Sequence, residues 1–288
     1  MITASQVKEL REKTNVGMME CKQALKECDG DMDAAVKYLR ERGAVKAAKK
    51  ADREAKEGIV AAKLSDDGKS GVLIEVNCET DFVAKNDNFV AFVNEVLDAS
   101  VASGASDVEG ALAADKGGES IDAFIKAKVI EIGENLQLRR LERFDVSGEG
   151  AVASYIHLGG KVGVLLEVAT GKAETAQSES FQDLVKDLTL HIAAAAPSGL
   201  SRDDIPAELV EAEKDIFRKQ MEGQNKPENI IEKIIEGKLS KFYSEQCFLE
   251  QGFIKDPDTT VRALVESKAK ELGDSIEIKR FVRFGLGE

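Results

Sequence analysis

The sequence predicts an α+β protein. It reads as an N-terminal bundle of three helices followed by two copies of one α+β unit. Each unit is a three-stranded antiparallel sheet plus helices, and the second carries an inserted antiparallel helical hairpin. Three observations predict this. Short amphipathic helical patterns punctuated by Asp and Gly occupy residues 1–43. Residues 58–102 align without gaps to 150–194 at a constant offset of 92. A second block repeats at an offset of 140, so the later copy is longer by 48 residues.

The elements follow in order. Helix one starts near Ser5 and carries Val7 and Leu10; helix two runs from about Gly17 to Cys28 with Met18, Cys21 and Leu25 on one face. Asp29-Gly30-Asp31 breaks the pattern, Asp31 or Asp33 caps helix three, and Met32, Ala35, Val36 and Leu39 recur at i, i+3, i+4, i+7. Gly43 is expected to end that helix. A bundle this small is marginal alone and suits a partner-binding module. Residues 44–57 are rich in Ala, Lys and Glu without an apolar stripe and read as a helical linker.

The first unit spans 58–144 and the second 150–288. Gly58, Val60, Gly71, Val72, Leu73, Glu75, Val76, Phe89 and Val93 recur as Gly150, Val152, Gly163, Val164, Leu165, Glu167, Val168, Phe181 and Val185. The pattern is strand, turn, strand, loop, helix. Ser120 and Thr260 stand at helix N-caps, Gly133 and Gly273 at the stops, and Leu136 and Leu138 match Ile276 and Ile278 on a third strand. The extra residues fall within 195–259. Leu209, Val210, Ile216 and Phe217 stripe one helix, and Ile230, Ile231, Ile234, Ile235, Leu239 and Phe242 stripe a return helix beyond Asn225-Lys226-Pro227. They are expected to pack on each other as a hairpin over about 204–247.

Composition narrows the function. The 288 residues are 43% hydrophobic and 32% charged, as a folded protein requires. Lys plus Arg number 40 against 53 Asp plus Glu, a net charge of −13, which argues against direct nucleic-acid binding. Residues 1–56 carry 13 basic and 10 acidic side chains, so the acidity sits in the body. No apolar run approaches the roughly 20 residues of a membrane span. Met1–Gln6 lack the marks of a signal peptide, and the four cysteines form no CxxC pair, so a cytoplasmic location with reduced thiols and no metal or other cofactor is expected. With two histidines and no assembled base and pocket, the chain is not expected to be an enzyme.

The two copies differ in the loop after their second strand. The first reads Asn77-Cys78-Glu79-Thr80-Asp81-Phe82-Val83-Ala84, while in the second Glu174 stands where Phe82 does. Two readings are open. Asp81 caps a helix with Phe82 folded beneath it as a staple, or Phe82 is an exposed wedge for a partner's pocket with Asp81 beside it. His157 in the turn His157-Leu158-Gly159-Gly160 is either a satisfied turn residue or a contact. Gly159-Gly160-Lys161 fits a hairpin turn better than a phosphate cradle. Cys78 reads as a buried thiol, and His191, matched by Ala99, as a packing residue.

Three stretches carry a resemblance. Thr14-Asn15-Val16-Gly17-Met18-Met19-Glu20-Cys21-Lys22 resembles the N-terminal signature of the translation elongation factor Ts family. Glu75-Val76-Asn77-Cys78-Glu79-Thr80-Asp81-Phe82-Val83-Ala84 resembles its second signature, and Ser154-Tyr155-Ile156-His157 with Gly163-Val164-Leu165 a third. The resemblance implies a ubiquitin-associated-like bundle, two related core subdomains and a helical-hairpin insertion. It implies a guanine-nucleotide exchange factor for elongation factor Tu that binds the GDP-bound and nucleotide-free partner. It puts Thr80, Asp81, Phe82 and Val83 against the partner's nucleotide domain near the Mg²⁺ site, Met18 and Met19 with Arg11 on another partner helix, and His157 at a further contact. It leaves open whether the factor works as a homodimer or in a 2:2 complex. The competing class is a ubiquitin-associated-like adaptor or scaffold without exchange activity.

Overall fold

The computed structural model describes residues 2–14, 16–221 and 227–288, and the backbone alone of 44–49. Asn15 and the expected interhelical turn residues Asn225 and Lys226 lie outside the described residues. The chain opens with α1 (Ala4–Thr14), α2 (Met18–Glu27) and α3 (Met32–Lys50). The first unit contains β1 (Glu57–Leu64), β2 (Ser70–Cys78), α4 (Asp81–Ala84), α5 (Asp87–Ser103), α6 (Val108–Ala113), α7 (Ile121–Ile132) and β3 (Gln137–Asp145). The second contains β4 (Gly150–His157), β5 (Val162–Thr170), α8 (Ala173–Gln177) and α9 (Glu179–Ala195). It continues with the hairpin α10 (Ala207–Met221) and α11 (Glu228–Gln246), then β6 (Gly252–Phe253), β7 (Asp256–Thr260), α12 (Val261–Leu272) and β8 (Ile276–Gly285). Among the described residues, no helix is long and apolar enough to cross a membrane.

The duplication is structural as well as sequential. The sheets run β1-β2-β3 and β4-β5-β8, all antiparallel, and each carries a bulge at the same place, Glu75/Val76 and Glu167/Val168. Ser120 and Thr260 cap α7 and α12 through the amides of Ala123 and Ala263, and Gly133 and Gly273 close those helices in the left-handed conformation. The buried carboxylates of the central strands are matched as well. Glu75 accepts hydrogen bonds from Arg139 and Arg140, and Glu167 from Arg280, which offsets the cost of burying charge.

Each sheet has helices on one face, as expected, but its other face lies on the sheet of the other copy. Along β2, Val72, Ile74 and Val76 face the helices while Leu73 faces the second sheet. Along β5, Val164, Leu166 and Val168 face the helices and Leu165 faces back. The layer between the sheets is built from equivalent pairs: Val60 with Val152, Leu73 with Leu165, and Phe144 with Phe284. It is joined by two reciprocal backbone hydrogen bonds, Val60 N to Gly160 O at 2.7 Å and Val152 N to Gly68 O at 2.8 Å. The guanidiniums of Arg140 and Arg280 lie 4.3 and 4.1 Å from the ring centres of Phe284 and Phe144 respectively. This approach requires Gly71 and Gly163. A Cβ on Gly163 would stand 2.4 Å from a methyl of Val60, and one on Gly71 would stand 2.8 Å from a methyl of Val152.

Two N-terminal expectations need correction. Asp31 caps α3 through Ala34 N (2.9 Å), but Gly43 does not end the helix, which runs on to Lys50. A Cβ at Gly43 would lie 2.0 Å from Cδ1 of Ile130, so this glycine makes room for α7 to cross. The segment 44–57 is therefore helical only to Lys50, irregular over 51–56, and joins β1 at Glu57. In the inserted hairpin, Val210, Ile235 and Leu239 pack with Ile205 and Cys247, flanked by Phe217, Ile231 and Phe242. Leu209, Ile216 and Ile230 face solvent instead, because two helices alone enclose only a narrow seam.

Candidate functional site

The loop after β2 is held from outside itself. Thr80, not Asp81, is the N-cap of α4: its Oγ1 accepts from Val83 N at 3.3 Å. Glu134, just past the end of α7, accepts from the amides of Glu79 and Thr80, both at 3.0 Å, and from the Thr80 hydroxyl at 2.6 Å. Asn135 N donates to Glu79 Oε1 at 2.7 Å. The buried Cys78 thiol donates to the Thr80 carbonyl at 3.2 Å. Burial, and after it the Glu134 carboxylate, pushes that thiol up to about 12, so it is inert at neutral pH.

This scaffold excludes one of the two readings of the loop. Val83 and Ala84 turn inward onto the first core, and Phe82 is 83% exposed. The staple is excluded: with Thr80 as cap, a four-residue helix puts Val83 on the inner side and Phe82 on the outer. Asp81 pairs with Lys85 one turn later at 2.6 Å, and that hydrogen bond holds its carboxyl below the usual carboxylate range.

The other expected contacts lie on two further surfaces. Met18 and Met19 open α2 at 42% and 75% exposure, and Arg11 is exposed on α1. Met19 lines a cleft of about 180 Å³ with Val16, Leu39, Arg42 and Ile130, where the bundle meets α7. His157 ends β4, exposed, with Nδ1 3.0 Å from Tyr155 Oη and the two rings stacked at 5.7 Å. The turn after it satisfies itself, since Gly160 N and Lys161 N both donate to His157 O, and a phosphate cradle is not formed. Val60 N binds Gly160 O, and α4 also packs on β1, so the His157 turn and the Phe82 loop share that strand. The methionines reach the first unit separately, through the crossing of α3 and α7.

Comparison with known proteins follows the same residues. A family model described as elongation factor TS matches residues 79–288. The elongation factor Ts of Trichlorobacter lovleyi is 48% identical over 290 aligned residues, covering 100% of this chain and 93% of that protein. That of Prosthecochloris aestuarii is 45% identical, covering 99% of each. That of Nitratiruptor sp. is 45% identical, covering 100% and 93%. The chain belongs to the elongation factor Ts family. It is thereby a member of a family of translation elongation factors, which act in protein biosynthesis.

Sequence reasoning missed part of what this chain presents. Leu158 follows His157 in the left-handed conformation (φ 49°) and is 67% exposed, with Ile156 also exposed near the end of β4. A β-branched or bulky side chain at positive φ is costly, and an exposed one in a turn is the signal that could have found it. Glu134 and Asn135 were passed over because only the glycine before them was read, as a helix stop. The second copy has Asp274 and Ser275 at the matching places, and Asp274 accepts from Lys172 N at 2.9 Å. A comparison of those two acidic residues would have pointed to the grip on both loops.

Proposed function

We propose that the protein is a guanine-nucleotide exchange factor that binds elongation factor Tu·GDP and promotes GDP release, after which GTP rebinds. The observation that carries this is Phe82, 83% exposed on a loop whose backbone is fixed by Glu134. Leaving a phenylalanine in water forgoes about 1.5–3 kcal/mol of burial, and a rigid scaffold presents it at no further ordering cost. Guanine-nucleotide affinity rests on phosphate contacts and the Mg²⁺ bridge. Phe82 entering near that site disturbs the structure that supports them, with Thr80, Asp81 and Val83 alongside.

An exchange factor performs no bond chemistry and is not an enzyme in that sense. It binds the nucleotide-free partner more tightly than the nucleotide-bound one, and linkage makes factor and nucleotide weaken each other by the same factor. Burying one phenylalanine is equivalent to roughly 10- to 150-fold. The remaining discrimination is shared with Met18, Met19 and Arg11 on the bundle and with His157 on the second unit.

The test is release of labelled GDP from elongation factor Tu with and without the protein. Acceleration that saturates with factor concentration is expected. Tight association without acceleration would make the protein an adaptor and refute the exchange reading.

A further inference from the structure

An exposed aromatic ring has no packing of its own to hold it, so the position of Phe82 must come from the backbone beneath it. One carboxylate makes three of the hydrogen bonds that hold that backbone. Glu134 lies 54 residues along the chain from Thr80 and accepts three hydrogen bonds from Glu79 and Thr80. The Thr80 hydroxyl donates a hydrogen bond to Glu134, which turns an oxygen lone pair toward Val83 N and so completes the cap of α4. The neighbouring Asn135 donates its side-chain amide to the carbonyls of Ala51 and Arg53, at 3.3 and 2.8 Å, so the segment leading from the bundle ends on the same turn. The second copy keeps an acidic grip at Asp274 while its helix bears Glu174 instead of a ring. The grip is thus common to both copies, and Phe82 is what the first copy alone mounts on it.

We propose that Glu134 is the positioning residue that presents Phe82, a role that rests on the exchange function proposed above. The test compares Glu134→Ala, Glu134→Gln, Phe82→Ala and the double variant Glu134→Ala/Phe82→Ala. At saturating factor, Glu134→Ala should slow GDP release about 10-fold, the loss of a single tenfold step in the barrier. Glu134→Gln keeps an oxygen for the two amides and should recover most of the rate. Because Glu134 acts through Phe82, adding Glu134→Ala to Phe82→Ala should slow release by less than about 2-fold more. Equal slowing in both backgrounds overturns the proposal.

Amide hydrogen exchange on the free protein needs no partner. Glu134→Ala should raise exchange at Glu79, Thr80 and Val83 by about 10-fold or more while β2 and α5 stay protected. Unchanged protection of that loop overturns the proposal, as does loss of protection throughout the first unit, which marks general destabilisation. A wild-type protein that fails to speed GDP release sinks the exchange reading; the amide measurement then decides the positioning role by itself.

Discussion

At Phe82, stability and function separate cleanly because the ring touches solvent rather than core. Phe82→Ala should slow GDP release by about 10- to 100-fold yet shift the melting temperature by less than about 2 °C, since exposed substitutions seldom matter to the fold. Phe82→Leu should recover part of the rate, because apolar volume counts for more than the ring. Thermal melting and GDP release measured on the same samples check this, and a clearly destabilised Phe82→Ala protein with normal release would refute the wedge. That Phe82 sets the first copy apart was legible in the sequence, from Glu174 at the matching place in the second copy. Its exposure was not. Thr80 and Asp81 are both good N-caps, and what selects Thr80 is a carboxylate brought from Glu134, which no local pattern reveals. His157 was visible as an isolated histidine, while its neighbour Leu158 was read only as part of the turn.

At the scale of elements, the inserted hairpin is closed at its base. Ser198 N donates to Gln246 O and Phe248 N to Gly199 O, both at 2.9 Å, so the strands of chain entering and leaving are adjacent. Replacing residues 202–245 with a short flexible linker should therefore leave a cooperative thermal transition, because closing a short loop between adjacent ends costs little. Extending the deletion through Phe248, which is buried in the second core, should cost about 3–5 kcal/mol in addition. Chemical denaturation of the two deletion proteins distinguishes these outcomes. The stretch after the hairpin is fastened to α9 by His191. Ile254 N donates to its Nδ1 at 3.1 Å, so Nε2 carries the proton and donates to Gln251 Oε1 at 2.9 Å. Phe248 and Phe253 flank the ring. Burial lowers the pKa of this histidine from its usual 6.5, with the Gln251 hydrogen bond opposing. In the unfolded chain His191 takes up a proton as pH falls through about 6.5, while in the folded protein it stays neutral until a lower pH. Its neutral form therefore costs nothing above that value, and stability declines as pH drops below it. The urea midpoint should fall between pH 7.5 and 5.5 more in wild type than in His191→Gln. Equal falls would show that another group is responsible. The packing role of His191 was legible from Ala99 at the matching place; its two partners, some 60 residues away, were not.

At the scale of the whole molecule, the duplication was fully legible in the sequence, and what the copies do to each other was not. A strand that is buried on both faces reads as a near-continuous apolar run, and Val72-Leu73-Ile74 and Val164-Leu165-Leu166 are such runs. Taken as half-buried strands with helices on one side, they leave Leu73 and Leu165 unexplained. The reciprocal contacts explain them: each copy offers the other the same surface, with Val60 and Val152 as donors and Gly160 and Gly68 as acceptors. Two identical subunits related by a two-fold axis meet in the same way, each residue touching its counterpart's neighbours. The intact chain is thus organised like a dimer written on one polypeptide, joined by a short connection from Asp145 to Gly150 that Lys69 fastens at Val146 and Glu149. A consequence can be checked. The second unit alone, residues 146–288, exposes the sheet face carrying Val152, Leu165 and Phe284, which the first unit covers in the intact protein. Its helices and inserted hairpin still close the opposite face, so the unit should fold, but with a contiguous apolar patch that favours association. Because that patch is built to meet a copy of itself, the expected product is a homodimer joined sheet to sheet. Gly163 then provides the close approach on both sides, and Val152 N meets the Gly160 carbonyl in place of the Gly68 carbonyl. Light scattering coupled to size-exclusion chromatography should give twice the fragment mass, and Gly163→Val, which drives a side chain into that layer, should shift it toward monomer or aggregate. A fragment that stays monomeric and unfolds as cooperatively as the full chain would show that the sheet face needs no cover, and that the packing of the two copies contributes little to the stability of either.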